Sequence, residues 1–168
     1  MIFAAARLPL GAVRRVTTFG EMPARHILLV EDNGDDEALA LRALQRVSET
    51  ALIEVARDGA AALDRLLAKG AFAGARLPEV VLLDLQLPKL SGLDVLRAVR
   101  ADGRARRVPV VVLTSSSEDR DIAASYDAGA NGYVRKPVQF EAYLRAVAEL
   151  GAYWLDLNES PVRAPGVR

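Results

Sequence analysis

Five side chains that are capable of chemistry stand where short apolar runs end. Glu31 and Asp32 follow one run, Asp84 follows a second, and Thr114 and Lys136 end two others. Carboxylates act as nucleophiles and as ligands for hard cations, a lysine ammonium balances anionic oxygens, and a threonine hydroxyl donates a hydrogen bond. These residue types together indicate a site for a divalent cation and a phosphoryl group.

The chemistry that they favour is transfer of a phosphoryl group to a carboxylate. Clustered carboxylates repel one another and raise one another's pKa values, and Mg²⁺ relieves that repulsion because it prefers oxygen ligands. The cation also offsets the charge of an incoming phosphoryl group, so that an anionic carboxylate can attack phosphorus. Lys136 can balance the transferred oxygens, and the Thr114 hydroxyl can bond one of them.

Five apolar runs alternate with amphipathic stretches and predict the elements that position these residues. The runs begin 24 to 29 residues apart, at 26–31, 51–57, 79–84, 108–114 and 132–135. That spacing fits one strand plus one helix per unit. Residues 80–83 and 110–113 are apolar without alternation, which is typical of strands buried on both faces of a parallel sheet. The prediction is an α/β fold with an open, doubly wound sheet, whose ligands bind at the carboxyl ends of the strands.

Local signals predict where the helices begin and which side they bury. Asp35, Asp36 and Glu37 place negative charge at the start of the first helix, which complements the helix dipole. Its apolar residues recur every three positions, at Ala38, Leu41, Leu44 and Val47. The later helices are predicted to begin at Asp58, at Ser91, at a capping box formed by Ser115 and Glu118, and after Pro137.

Four sequence blocks resemble the signature blocks of response regulator receiver domains. They are LLVEDN at 28–33, VVLLDLQLPKLSG at 80–92, VVVLTSSS at 110–117 and GANGYVRKPV at 129–138. The resemblance extends over about residues 26–150 and implies the flavodoxin-like receiver fold, with five parallel strands in the order 2-1-3-4-5. It also implies a single-domain response regulator of a two-component system, which accepts a phosphoryl group from a sensor histidine kinase in a Mg²⁺-dependent reaction.

The resemblance implies roles for the acidic residues and the lysine. Asp84 matches the phosphoacceptor, and Lys136 matches the family's lysine. Glu31 and Asp32 match the acidic pair that binds the metal together with Asp84, and the backbone carbonyl of Gln86 completes the protein ligands. The protein would then catalyse only its own phosphorylation and dephosphorylation, and it would not be a metabolic enzyme.

The resemblance also implies how phosphorylation is read out. Thr114 and Tyr133 match the hydroxyl and the aromatic ring that move on phosphorylation. Pro137 matches a proline preceded by a cis peptide bond, which X-Pro linkages adopt at modest cost. Gln86 and Ser116 occupy the two positions that set the lifetime of the phosphoryl group.

Further blocks resemble the single-domain regulators that serve bacterial phytochromes and related sensor kinases. They are the SSS run after Thr114, the SY-x-x-GAN-x-Y-x-x-KP pattern at 125–137 and the YWL sequence at 153–155. The implied partner is a sensor histidine kinase, such as a bacteriophytochrome. The 18 residues from 151 to 168 are too few for a DNA-binding or catalytic output domain, so output is expected to run through protein contacts.

The chain is predicted to have three parts. Residues 1–25 carry four Arg against one Glu and form a flexible leader, in which Met22 is a second candidate for the start of translation. Residues 26–150 form the receiver domain, and residues 151–168 continue helix five before ending in a loose tail. Two apolar stripes on helix five and its continuation predict a homodimer: Phe140, Leu144, Val147 and Trp154, and Tyr143, Ala146, Leu150, Tyr153 and Leu157.

Composition disfavours several other classes of function. The 22 basic and 22 acidic residues cancel, so no basic field attracts nucleic acid. The chain has no Cys and one His, which excludes thiolate and multi-histidine metal sites. No apolar run approaches the roughly 18 residues of a membrane-spanning helix, and a cytoplasmic protein is expected.

Three alternative functions compete with that of a receiver domain. A haloacid-dehalogenase-type phosphatase requires a second Asp two positions after its nucleophile, where this chain has Gln86. A flavodoxin-like FMN carrier requires a loop rich in glycine and hydroxyls after the first strand, but residues 31–36 are acidic and would repel phosphate without a metal. A receiver-like interaction scaffold that is not phosphorylated stays open, because a fold does not guarantee an activity.

Overall fold

The computed structural model describes residues 14–16 and 25–162 of the chain. Strands and helices alternate along most of this length. In chain order they are β1 (Arg14–Val16), β2 (His26–Val30), α1 (Gly34–Val47), β3 (Leu52–Ala56), α2 (Gly59–Leu66), β4 (Val80–Leu83), α3 (Gly92–Ala101), β5 (Val110–Thr114), α4 (Asp119–Asp127), β6 (Gly132–Arg135) and α5 (Phe140–Ala152).

All of these strands belong to one sheet in the order β1-β3-β2-β4-β5-β6. The five strands β2 to β6 are parallel to one another, and their order in the sheet, β3-β2-β4-β5-β6, confirms the predicted order 2-1-3-4-5. β2 leads into α1 on one face of the sheet, whereas its neighbour β4 leads into α3 on the other face. The switch in strand order therefore opens a crevice at the carboxyl end of β2, where ligands bind in sheets of this kind.

The sequence predicts no strand before residue 26, yet β1 adds a sixth strand to the sheet. It runs antiparallel to β3, with Arg15 opposite Glu54. The outer edge of β3 presents backbone groups that need partners, and a short strand can supply them whatever its side-chain pattern. Residues 1–13 and 17–24 of the predicted leader, Met22 among them, lie outside the described residues.

Helices cover both faces of the sheet and create two hydrophobic cores. On one face, α1 and α5 pack over a core that includes Ile27, Leu29, Leu44, Leu82 and Val147. On the other, α2 and α3 pack over Leu28, Val30, Leu66, Leu83 and Leu96. Adjacent residues of one strand thus enter different cores, which explains why the central strands are apolar without alternation.

Polar side chains begin most of the helices, although the predicted capping box of α4 does not form. Asp58 caps α2 and Ser91 caps α3, as the sequence predicts. In contrast, α4 begins at Asp119 and no side chain caps it. Ser116 bonds that loop instead, since its hydroxyl donates to Asp121 at 2.5 Å and accepts from the Glu118 N–H at 3.3 Å. The neighbouring serine thus makes the contact that the prediction gave to Ser115.

The chain continues past α5 as a π-helical turn over Tyr153–Leu157. Leu155 is buried in the core of the α1 and α5 face, and Trp154 packs against that core. The Arg25 guanidinium donates to the Leu155 carbonyl and pairs with Asp156, so this turn is tied to the start of β2. Residues 163–168, which the sequence assigns to a loose tail, lie outside the described residues.

A group of ionisable side chains is buried beneath α2. Glu54 of β3 accepts hydrogen bonds from His26, at 2.9 Å, and from the Arg65 guanidinium of α2. Arg65 also donates to the Arg76 carbonyl at 2.7 Å and stacks on the ring of Phe72. Burial alone would raise the pKa of Glu54, but His26 and Arg65 outweigh it and lower the pKa to about 2. We refer to His26, Glu54 and Arg65 as the β3–α2 cluster.

Within the residues that the structure describes, no helix combines the length and the apolar character that crossing a membrane requires.

Candidate functional site

The carboxyl ends of β2 and β4 bring three carboxylates together. Glu31 and Asp32 directly follow β2, and Asp84 directly follows β4, its neighbour in the sheet. Backbone hydrogen bonds extend the sheet past the strand ends, because the Glu31 N–H donates to Ala56 O at 2.9 Å and the Asp84 N–H to Val30 O at 3.1 Å. The positions of Glu31 and Asp84 are therefore set by the sheet itself.

The loop after Asp84 folds back under its carboxylate. The Gln86 N–H donates to Asp84 Oδ1 at 3.1 Å, which fixes the orientation of the carboxylate. The Gly92 N–H donates to the Leu85 carbonyl at 2.9 Å, so the start of α3 lies against the loop. A Cβ at position 92 would overlap the Asp84 carbonyl oxygen, and only glycine permits this approach.

Lys136, from the end of β6, inserts its ammonium among carboxylates. Its Nζ lies 2.6 Å from Glu31 Oε2, 2.6 Å from Asp84 Oδ2 and 2.9 Å from Asp36 Oδ2. The side chains of Glu31, Asp84 and Lys136 are each less than 10% exposed. Three buried or half-buried carboxyl groups therefore surround one ammonium.

This arrangement shifts the pKa values of Glu31 and Lys136. Burial raises the pKa of Glu31 to about 7, although its bonds with Lys136 act in the opposite direction. Burial disfavours the charged ammonium of Lys136, but the hydrogen bonds to Asp84, Glu31 and Asp36 outweigh it and raise the pKa above the ordinary value. Lys136 is thus held as a cation, while Glu31 is costly to ionise without further positive charge.

Glu31, Asp32 and Asp84 meet the geometric requirement for a cation site. One ligand oxygen of each lies within 4.8 Å of the others, with Asp32 exposed and the other two buried. Only oxygen donors are present, and the local charge is negative even after Lys136 is counted, so the residues fit a hard divalent cation such as Mg²⁺. Because Asp32 is exposed, its side of the cation site is open to water. This suits Mg²⁺, which retains several water molecules as ligands.

The residues predicted to read out phosphorylation lie beside this cluster. Thr114 is fully buried at the end of β5, and its hydroxyl accepts a hydrogen bond from the Ser116 N–H at 3.4 Å. The half-buried Tyr133 of β6 donates from its hydroxyl to the Ser116 carbonyl at 3.1 Å. Thr114 and Tyr133 are therefore linked through the loop that precedes α4.

The prediction of a cis bond before Pro137 is wrong. No cis peptide occurs in the described part of the chain, and the Lys136–Pro137 bond is trans. The trans isomer is intrinsically favoured by about 0.5–1 kcal/mol for X-Pro linkages. Lys136 still reaches the cluster from this trans linkage.

Sequence reasoning missed Asp36 as a partner of Lys136. The sequence assigns Asp35, Asp36 and Glu37 alike to the helix dipole, but the structure gives them different environments. Asp36 bonds Lys136, whereas Glu37 accepts hydrogen bonds from Arg57 at 2.7 and 3.0 Å. The position of all three residues in the first turn of α1, close to the strand end that precedes it, indicates nearness to the site but does not single out Asp36.

A cavity of about 530 Å³ adjoins Lys136 between the beginnings of α1 and α5. Asp36 and Leu39 line it from α1, and Phe140 and Tyr143 line it from α5. Lys136 lines this cavity as well, so Asp36 and Lys136 both border the cavity and the strand-end cluster.

A sheet with this strand order, ending in an acidic cluster and a lysine, is that of a response regulator receiver domain. The family model "Response regulator receiver domain" matches residues 27–148, and the chain belongs to this family. The probable methanogenesis regulatory protein FilR2 of Methanothrix harundinacea is 48% identical over 136 residues, covering 80% of this chain and 86% of FilR2. Response regulator Rcp1 of Synechocystis is 36% identical over 83% of this chain and 95% of Rcp1.

Solved structures of phytochrome response regulators are similar to this protein. The phosphorylated cyanobacterial phytochrome response regulator RcpA matches with a TM-score of 0.79 and 36% identity, covering 82% of this chain and 98% of RcpA. The bacteriophytochrome response regulator RtBRR matches with a TM-score of 0.64 and 48% identity, covering 82% of this chain and 84% of RtBRR. A Mn²⁺-bound form of Rcp1 matches with a TM-score of 0.77 and 34% identity, covering 82% of this chain and 99% of Rcp1.

Proposed function

We propose that Asp84 accepts a phosphoryl group from the phosphohistidine of a sensor histidine kinase. The observation that carries this proposal is the buried contact of Asp84 with the Lys136 ammonium at 2.6 Å, beside two further carboxylates. One carboxylate oxygen, Oδ1, is oriented by the Gln86 N–H and the other by Lys136. Such fixed donors hold the nucleophile in one orientation toward phosphorus.

The transfer exchanges one bond to phosphorus for another. An Asp84 oxygen attacks phosphorus, the phosphorus–nitrogen bond of the phosphohistidine breaks, and the imidazole leaves with the electron pair of that bond. Lys136 is held protonated and can donate to the transferred oxygens as charge builds on them. The Thr114 hydroxyl is the second donor that we assign to those oxygens.

The proposed reaction depends on Mg²⁺. Glu31, Asp32 and Asp84 would hold the cation, and the Gln86 carbonyl would complete the protein ligands. When bound, the cation neutralises charge on the phosphoryl oxygens and on the carboxylates that surround them. Glu31 has the clearest need for it, since burial raises the pKa of this residue to about 7.

We propose that phosphorylation is transmitted through Thr114 and Tyr133. Movement of Thr114 toward the phosphoryl group would break its contact with the Ser116 N–H and shift the loop that Tyr133 also bonds. Because Ser116 bonds Asp121 of α4, the same shift would change the surface formed by α4, β6 and α5. Gln86 and Ser116, which flank the site, are proposed to set the lifetime of the phosphoryl group.

The proposed partner is a sensor histidine kinase, and the phytochrome relatives favour a bacteriophytochrome. RcpA and RtBRR are described as phytochrome and bacteriophytochrome response regulators. The reaction would occur in the cytoplasm, where such a kinase forms its phosphohistidine from ATP. The protein would signal through protein contacts and act only on its own phosphoryl group, and its zero net charge does not favour a nucleic-acid partner.

We also propose a homodimer through α5 and the turn that follows it. Of the two predicted stripes, one is mainly used within the protein, since Leu144 and Val147 are buried and Trp154 packs on the core. The other stays accessible at its end, where Tyr153 and Leu157 are 49% and 75% exposed. Sedimentation at micromolar concentration tests this, and a monomer both with and without phosphorylation would refute it.

The first experiment is intact-protein mass spectrometry after incubation with Mg²⁺ and a small-molecule phosphodonor such as acetyl phosphate. We expect a single phosphoryl adduct on the parent protein. Asp84→Asn removes the nucleophile and should abolish the adduct, and a chelator should do the same. The matched control is Asp94→Asn, an exposed carboxylate on α3 away from the cluster, which should leave the adduct unchanged.

If acetyl phosphate gives no adduct, the experiment is repeated with phosphorylated histidine kinases as donors. If neither acetyl phosphate nor a panel of phosphorylated histidine kinases modifies the parent protein, the unphosphorylated scaffold becomes the better interpretation. An adduct that persists in Asp84→Asn would place the phosphoryl group elsewhere and would refute the assignment of Asp84.

A further inference from the structure

Asp36 contacts Lys136 but is outside the set of residues that the family pattern assigns to the site. Its Oδ2 lies 2.9 Å from Lys136 Nζ, and its side chain is 30% exposed. The other two partners of Lys136 are far more buried, since Glu31 is 1% and Asp84 is 8% exposed. Glu31 is also held by the Asn33 N–H at 3.1 Å. Asp36 is therefore the partner that Lys136 can exchange at the lowest cost.

The donors of Lys136 are all in use. An ammonium carries three N–H groups, and Glu31, Asp36 and Asp84 provide three carboxylate acceptors at hydrogen-bond distance. After phosphorylation, the oxygens of the phosphoryl group become new acceptors for the same three donors. Asp84 gives up its donor when it is esterified, and a further donor can reach these oxygens only if Asp36 or Glu31 releases it.

We infer that Asp36 competes with the phosphoryl group for Lys136 and thereby favours the unphosphorylated protein. The inference rests on the proposed function, because it concerns the lifetime of the phosphoryl group on Asp84. Asp36 lies on α1 and holds one N–H group of Lys136 away from the phosphoryl oxygens. Its charge acts in the same direction, since Asp36 and Asp84 share one nitrogen and the phosphoryl dianion must form close to the Asp36 carboxylate.

The step that ends the phosphorylated state removes the acceptors that compete with Asp36 for Lys136. Water adds to phosphorus, the bond between phosphorus and the Asp84 oxygen breaks, and inorganic phosphate leaves with the protons of the water. Asp84 regains its carboxylate, and Lys136 again has three carboxylate partners. In the phosphorylated state, Asp36 and the phosphoryl oxygens compete for the donors of Lys136, so Asp36 destabilises that state relative to the product of hydrolysis.

The test compares Asp36→Asn with Asp35→Asn in the full chain. Both changes remove one carboxylate from the first turn of α1, but Asp35 is exposed and its side chain has no contact with Lys136. The probe is beryllium trifluoride with Mg²⁺, a non-reacting substitute for the phosphoryl group, and ¹⁹F NMR measures its affinity. Asp36→Asn should bind it about tenfold more tightly, which corresponds to about 1.4 kcal/mol, and should lose the phosphoryl group more slowly.

The outcomes separate this inference from the proposed function. Unchanged or weaker binding by Asp36→Asn, with normal binding by the parent, would overturn the inference alone. An equal gain in Asp35→Asn that disappears at high salt would show a general charge effect and would also overturn it. Absence of Mg²⁺-dependent binding by the parent protein would overturn both. Asp36→Glu keeps the charge and should retain the affinity of the parent.

Discussion

Two clusters of buried ionisable side chains differ in how well their charges are matched. In the β3–α2 cluster, one carboxylate is shared by a guanidinium and an imidazole, and the pKa of Glu54 falls to about 2. At the strand ends, one ammonium serves Glu31, Asp36 and Asp84, and the pKa of Glu31 rises to about 7. In the first cluster, the side chains of the protein balance the buried carboxylate without any added ion. In the second cluster, one ammonium does not balance three carboxyl groups. This excess of negative charge is what allows the site to bind a cation together with an anionic phosphoryl group.

The contrast predicts that the two clusters contribute differently to stability and to function. Loss of a charge from the matched cluster should destabilise the fold, because the remaining buried charge has no partner. Loss of a carboxylate from the strand-end cluster should relieve repulsion, so the fold should tolerate it while the chemistry changes.

The largest expected effect is that of Glu54→Gln. It leaves the Arg65 guanidinium buried beside a neutral amide, and we expect the free energy of unfolding to fall by about 3–5 kcal/mol. Urea denaturation measures this, while phosphorylation of the folded fraction by acetyl phosphate should persist. Glu49→Gln is the matched control, since Glu49 is exposed and its loss should change stability by less than about 0.5 kcal/mol. Equal effects of the two substitutions would remove the distinction between the clusters.

A smaller effect of opposite sign is expected for Glu31→Gln, and it depends on pH. The pKa of Glu31 is raised from 4.5 to about 7, so the folded protein loses stability as the pH rises from 4.5 through 7. Without metal, Glu31→Gln should be more stable than the parent at pH 8, by up to about 3 kcal/mol, and similar to it at pH 4. Urea curves at pH 4, 6 and 8 measure the difference.

Glu54 provides the internal comparison for that pH dependence. Its pKa is lowered from 4.5 to about 2, so the stability that its ionisation contributes is present above pH 4.5 and is lost as the pH falls toward 2. The parent should therefore lose stability as the pH falls from 4.5 toward 2 at the β3–α2 cluster, and as the pH rises from 4.5 to about 7 at the strand ends. A Glu31→Gln difference that grows toward pH 4 would contradict this assignment.

The smallest expected effect is stabilisation by Mg²⁺ alone. At five times its dissociation constant, the cation should add about 1 kcal/mol to the free energy of unfolding, because it binds only the folded site. Thermal melting should show a rise of about 2–4 °C in the parent and a smaller rise in Asp84→Asn. A rise that is equal in the two proteins would place the cation elsewhere.

Much of the fold and of the site could be predicted because the signals are local or repeated. The unbroken apolar runs marked the central strands, and the polar residues that end them marked the site. The burial pattern of α1 was harder to predict. The three-residue period placed Ala38 inside, but Ala40 and Ala43 are buried and Ala38 is exposed, because α1 packs against α5 as well as the sheet. The apolar period of one helix does not show where a second helix will pack against it.

Other features could not be predicted because they depend on tertiary contacts. The contact of Asp36 with Lys136 joins residues 100 positions apart, and nothing in the sequence of α1 distinguishes Asp36 from Asp35. The trans bond before Pro137 reflects a small energy difference between two isomers. The pairing of β1 with β3 depends on an open sheet edge, which no local pattern in residues 14–16 reveals.

The strand β1 gives the amino-terminal segment a protective role. Arg14–Val16 cover the backbone of β3 from Ile53 to Val55, which would otherwise form the outer edge of the sheet. An uncovered edge is a template for strand addition by another molecule. A shortened chain that begins at residue 25 would expose this template, and aggregation during production or storage would be the consequence. Residues 14–16 should therefore be retained when the protein is prepared for study.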